Sequence, residues 1–217
     1  MANMSEGNRL NDILKWEQEN LYSREQVTVL SGEDLVLGAV IGKITRDVPT
    51  EGTAGSNTGG GTCTGVTGGK DTRIGTYTLE CVAQAENGGT FKVTAPDGTA
   101  LPDAEVGEAY VNEQLNFTLN DVGTDFAVGD TFTITVSEGS GKVVAIDFAA
   151  VDGSEDAAGF VIADYDATAG DVEGVAIVRD AVMVAENLVW PDGATEDQKA
   201  AALAQLMALG IVARIDV

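Results

Sequence analysis

From Tyr77 to Val136 the apolar residues fall on every second position. Tyr77/Leu79/Cys81, Phe91/Val93, Leu115/Phe117/Leu119 and Phe132/Ile134/Val136 alternate with threonine, asparagine, glutamate or lysine. A helix cannot bury such a pattern on one side, whereas a pleated strand can. The breaks Asn87-Gly88-Gly89, Pro96-Asp97-Gly98 and Val128-Gly129-Asp130 carry the residues that tight turns select. Four or more half-buried antiparallel strands predict a small sandwich or barrel.

This block is set off on both sides. Residues 52–69 read GTAGSNTGGGTCTGVTGG, which predicts a flexible Gly-rich linker, and Ser137-Glu138-Gly139-Ser140-Gly141 forms a second break. Short apolar strands broken by glycine lie outside it, at 27–30, 35–44, 143–148, 159–163 and 174–184. One helix is predicted to start at Thr195, with Gln198 completing a capping box and Gly210 as the stop; Leu203, Leu206 and Met207 would be its buried stripe. Residues 211–215 then form a closing strand. The expected organisation is an N-terminal segment (1–26), a host domain made of 27–46 plus 141–217, and an inserted β-domain (47–140). The fold class expected is mainly β with one α-helix in the C-terminal half.

The N-terminal segment MANMSEGNRLNDILKWEQENLYSREQ is polar, with scattered anchors Leu10, Ile13, Leu14, Trp16, Leu21 and Tyr22. As a lone helix it would be marginal in water. Two readings stand: a frayed helix packed on its own domain, or an arm that orders against a partner with Trp16 and Tyr22 as anchors. The second is preferred, because the large apolar groups are too many for an inert tail.

Among 217 residues, 12 Lys and Arg stand against 35 Asp and Glu, for a net charge of −23 with no histidine. Such a field repels nucleic-acid phosphate and anionic lipid, so neither is an expected partner. No apolar run reaches the length needed to span a bilayer, and the start of the chain lacks a basic region and an apolar h-region, so synthesis in a cytoplasm is expected. Without histidine, the commonest general base and zinc ligand is missing. Cys63 and Cys81 are too few for a metal site and are expected to be free thiols, with a disulfide open only outside a cell.

Candidate chemistry fails on inspection. Before Gly69-Lys70, Thr64 stands where a phosphate loop needs its first glycine, and Asp71 follows where Ser or Thr should hold magnesium. The groups Asp121/Asp125/Asp130, Asp152/Glu155/Asp156 and Asp164/Asp166/Asp171 match no calcium-loop pattern and are expected to be solvated loops. No Gly-x-Ser-x-Gly elbow occurs. The chain is therefore expected to be no enzyme and to need no metal or cofactor.

Several runs resemble the head decoration protein family of tailed bacteriophages, typified by the lambda decoration protein. They are Ser31-Gly32 with Leu37-Gly38-x-Val40-x-Gly42-Lys43, Asp166-Ala167-Thr168-Ala169-Gly170-Asp171, and Leu188-Val189-Trp190-Pro191 followed by the capped alanine-rich helix and Leu209-Gly210-Ile211. Leu14-Lys15-Trp16-Glu17 and Tyr22-Ser23-Arg24-Glu25 resemble the family's arm sequences. Residues 47–140 do not match its short members. The resemblance implies a β-rich host domain that forms a homotrimer on the outer surface of the mature capsid, at local threefold sites. There it would clamp the shell against internal DNA pressure, with the major capsid protein as partner and an arm that orders on it. The alternative is that the inserted β-domain recognises host-surface glycan or protein, with Tyr110 as the plausible free aromatic platform.

Overall fold

The computed structural model describes residues 9–214. These fall into two compact units, one comprising the residues up to Thr45 and from Ser140 onward, the other Arg46–Gly139. The architecture is mostly β, with one main helix near the C-terminus.

The chain opens with α1 (Leu10–Ile13), β1 (Leu14–Glu17), β2 (Arg24–Val29), β3 (Asp34–Leu35) and β4 (Val40–Lys43). The second unit supplies β5 (Arg46–Asp47), β6 (Glu51–Ala54), β7 (Thr62–Gly68), β8 (Gly75–Ala85) and β9 (Gly88–Thr94). It continues with β10 (Ala104–Glu105), β11 (Ala109–Tyr110), β12 (Leu115–Asn120) and β13 (Thr131–Glu138). Back in the first unit come β14 (Val143–Ala145), β15 (Ala157–Val161), β16 (Tyr165–Asp166), β17 (Val172–Ile177) and β18 (Ala181–Val184). The chain then forms α2 (Glu196–Ala208) and β19 (Ile211–Arg214).

In the Arg46–Gly139 unit the strands form one continuous sheet in the order β10-β9-β8-β13-β6-β7-β12-β11, with β5 also on β13. Its two ends, β10 and β11, come back against each other. The alternation sets which side faces in: Phe132 opposes Leu79 and Ile134 opposes Tyr77, and all four are buried. Phe126 meets Phe91 edge-on at 5.0 Å between ring centroids, the geometry that aromatic quadrupoles favour.

The linker expected at 52–69 is instead strand at both ends, 52–54 in β6 and 62–68 in β7, joined by a connection at 55–61. β7 alternates buried Cys63 and Val66 with exposed positions, and β6 pairs with it at Glu51↔Thr64 and Gly52↔Cys63. The glycines allow close approach rather than flexibility. A Cβ on Gly61 would lie 2.0 Å from the Phe126 ring, and one on Gly69 would lie 2.2 Å from the Glu113 carbonyl oxygen.

In the first unit β14, β2, β17, β15 and β4 close a five-stranded barrel, and β1-β18-β19 form a separate small sheet. Buried Phe160, Ile177, Met183, Leu206 and Ile211 share one cluster that joins barrel, sheet and α2. The Thr195 hydroxyl accepts the Gln198 N–H at 3.2 Å while Gln198 Oε1 accepts the Thr195 N–H at 2.9 Å, the reciprocal cap expected. The stripe beneath differs from expectation. Ala202 and Leu206 are the buried pair, Leu203 is half-buried, and Met207 is 62% exposed. A step of about 100° per residue turns Met207 away once Leu206 points inward. β19 runs parallel to β18, with Ala181↔Ile211 and Val182↔Val212 in register; position 215 of the predicted strand lies outside the described residues.

Candidate functional site

The six N-terminal anchors separate into two groups. Asp12 accepts the Arg9 N–H at 2.8 Å and closes the one-turn α1, which brings Ile13 inward. Ile13 is fully buried among Met183, Leu188 and Leu206, with Leu14 half-buried against the same cluster. Gly38, at φ +86°, leaves room for it: a Cβ there would lie 2.4 Å from Ile13 Cδ1. Asn187 Nδ2 donates to the Asp12 carbonyl at 3.0 Å. From Leu10 to Glu17 the segment expected as an arm is therefore seated in this structure by Ile13, which fills the space that Gly38 leaves. Residues 1–8 of the expected arm lie outside the described residues.

The second group is exposed. β1 pairs antiparallel with β18 through Leu14↔Met183, Trp16↔Val182 and Glu17↔Ala181, with an irregularity between Leu14 and Trp16. That irregularity turns Trp16 outward. Trp16 (51% exposed), Val182 and Val212 (43% exposed) therefore form one apolar row across all three strands. Leu21 and Tyr22 are also exposed. The Arg179 guanidinium lies 5.4 Å from the Tyr22 ring centre and donates to the Tyr22 carbonyl, which fixes that residue. Sequence reasoning missed Val182 and Val212, because short alternating strands do not reveal which face remains open.

Electrostatics here hold the fold. Arg24 makes a two-pronged contact with Glu17, both bonds 2.7 Å, and this carboxylate raises the guanidinium above its ordinary pKa. Asp171 is held below the usual carboxylate range by Lys142 at 2.5 Å and by the Ser31 N–H. Asp130 is nearly buried, which alone would push its carboxyl up; backbone donors from Ala127, Thr58 and Gly59 outweigh this and lower it.

Most of the acidic groups weighed in the sequence accept from this chain's own donors, Asp152 and Asp166 within their loops and Asp125, Asp156 and Asp164 across to distant segments. Both carboxylate oxygens of Asp121, by contrast, are buried without a hydrogen-bond partner among the described residues. Asp125 accepts from Asn87 N, Asp152 from Ser154 N, Asp156 from Gln205 Nε2, Asp164 from Leu37 N and Asp166 from Thr168. Among the described residues no group of three His, Cys, Asp or Glu could hold a metal ion. Tyr110 is not a free platform: it is buried and stacked on Phe117 at 4.5 Å. Cys63 and Cys81 are free and buried, and burial pushes the Cys63 thiol up to about 11. A cavity of about 450 Å³ opens at the barrel mouth, between apolar Val27, Ile41, Val143 and Ala157 and a rim that includes Lys43 and Asp156. No nucleophile with a positioned base lines it.

The sequence matches the family of the bacteriophage lambda head decoration protein D across residues 3–211. The chain belongs to that family. It is thus a bacteriophage head decoration protein, a component of the virion capsid surface. No curated protein matches it. Two crystal structures of Xanthomonas campestris FlgL are similar at 16% identity, with TM-scores of 0.31 and 0.29. They cover 81% and 84% of this chain, and the chain spans only 44% and 43% of theirs. Similarity that low carries no argument about this decoration protein.

Proposed function

We propose that this decoration protein acts as a homotrimer on the outer surface of the mature head, at local threefold sites, where it binds the major capsid protein and stabilises the shell against internal DNA pressure. The apolar row Trp16–Val182–Val212, exposed at both ends and half-buried at Val182, and continued by Leu21 and Tyr22, carries the reading. Exposed aromatic side chains beside an open strand edge suit strand addition, with main-chain hydrogen bonds giving affinity and pockets taking alternate side chains. Trp16, Leu21 and Tyr22 are the proposed capsid contacts, while Ile13 and Leu14 anchor the segment in a host-domain core and Leu10 is only half-buried. The role is structural, without catalysis.

Three copies on one symmetric assembly engage together, so avidity exceeds a single contact by roughly 10²- to 10⁴-fold. A trimer that binds only the expanded lattice stabilises that lattice by mass action. The charge of −23 suits a face turned away from packaged DNA. The test is co-sedimentation with expanded heads. Trp16→Ala combined with Tyr22→Ala should fold and fail to pellet with the heads; undiminished pelleting contradicts the assignment.

A further inference from the structure

We propose that the segment Leu10–Glu17 exchanges between copies of this chain, leaving its own β18 and occupying the identical site on a neighbour. The hinge is where the structure places strain. Asn20 (φ 61°) and Leu21 (φ 60°) are consecutive non-glycine residues in the left-handed region, which costs bulky side chains most. Leucine has no polar side chain to offset that cost locally, and Leu21 is 63% exposed, so no packing on its own domain compensates it.

The loop around these residues is held by local contacts: the Gln18 N–H donates to Ser23 Oγ at 2.9 Å, the Tyr22 N–H to the Glu19 carbonyl at 3.4 Å, and Arg179 to the Tyr22 carbonyl at 2.9 Å. Gln18, Glu19, Asn20, Tyr22 and Asp180 line an open hollow of about 500 Å³. The far side is firmly fixed. Ser23 is fully buried, donates its hydroxyl to the Asp180 carbonyl at 2.6 Å, and its own carbonyl accepts the Val178 N–H at 3.0 Å. Ser23 is therefore the pivot, and the chain between it and β1 is the part that must straighten. Extended, Gln18–Tyr22 reaches roughly 17 Å, enough to carry β1 to an adjacent copy.

Exchange restores the closed contacts. A neighbour's Ile13 meets Gly38, its β1 pairs with β18, and its Glu17 meets Arg24, as each does within one chain. The exchange relieves Asn20 and Leu21, set against the loss of the Tyr22 N–H to Glu19 bond and the Arg179 contact with Tyr22 and against the entropy of association. This is the balance that makes short strained hinges favour domain swapping, and successive donation from copy to copy closes a ring when the rotation is cyclic. Exchange between copies rests on the homotrimer proposed above but not on bound heads.

Trp16 and Val182 are opposed across the β1–β18 pair, so Trp16→Cys with Val182→Cys reports the connectivity. Oxidised under native conditions and run without reductant, the assembled protein should show the cross-link between chains. A cross-link wholly within single chains overturns the proposal, and so does its absence, since both arrangements oppose the two positions. Adding Leu21→Gly, which accepts the left-handed backbone without strain, should lower the between-chain share several-fold. An unchanged share removes the hinge as the cause.

Discussion

Ile13 and Gly38 form a lock: a Cβ on Gly38 would lie 2.4 Å from Ile13 Cδ1, and the Gly38 backbone sits at φ +86°. Gly38→Ala therefore meets both a steric clash and an unfavourable backbone. It should destabilise the free protein by about 1–3 kcal/mol. Ile13→Ala, which opens a void in the same cluster, should cost about 2–5 kcal/mol. Urea unfolding followed by tryptophan fluorescence measures both, and an unchanged midpoint for Ile13→Ala would mean that this segment is not seated.

Asp130 ties three backbone donors at the 58–59 and 127 loops. Asp130→Ala leaves those N–H groups without their partner and should cost about 1–3 kcal/mol in unfolding of this unit. Its carboxyl titrates below the ordinary value in the folded state. The stabilisation is thus fully present above the unfolded carboxyl pKa near 3.9 and is lost as pH falls through the folded value. The acid limb of a stability–pH curve should be shallower in Asp130→Asn than in the parent.

Cys63 gives the opposite sign. Burial raises its thiol to about 11, so the folded state holds the proton more tightly than the unfolded chain does. Stability is unaffected below pH near 9 and falls by up to roughly 3 kcal/mol as pH rises through the folded value. Cys63→Ala should remove that loss. A thiol reagent at pH 8 should label neither Cys63 nor Cys81 until denaturant is added.

Excision of residues 46–139 with Thr45 joined to Ser140 should leave a cooperatively folding domain. Ile44 and Gly141 already face each other, Gly141 N donating to Ile44 O at 2.9 Å, and Ile44 N donates to Lys142 O at 3.0 Å. The new junction is a two-residue turn on an existing antiparallel pair, Val143↔Lys43. Loss of a single sharp thermal transition would show that the block belongs to the same cooperative unit.

Period-two alternation made β8, β9, β12 and β13 legible, because burial on one face leaves that mark directly in residues such as Tyr77, Leu79 and Cys81. The Thr195/Gln198 cap was equally readable, since it depends on residues three apart. Gly61 and Gly69 were not: glycine that yields to a neighbouring ring or carbonyl looks, in sequence, like glycine in a flexible tether. Tyr110 was missed because β11 is two residues long and shows no alternation. At the candidate site Trp16 and Tyr22 stood out as large apolar groups in a polar segment, and both are exposed. The burial of Ile13 depends on Gly38, twenty-five positions away, and no local pattern carries that information.

A capsid-bound homotrimer would be visible by electron microscopy of expanded heads prepared with and without the protein. Added density with threefold symmetry is expected on the outer surface at local threefold positions, and it should be lost with Trp16→Ala/Tyr22→Ala. Heads that look alike with and without the protein, or density on the inner surface, would contradict it.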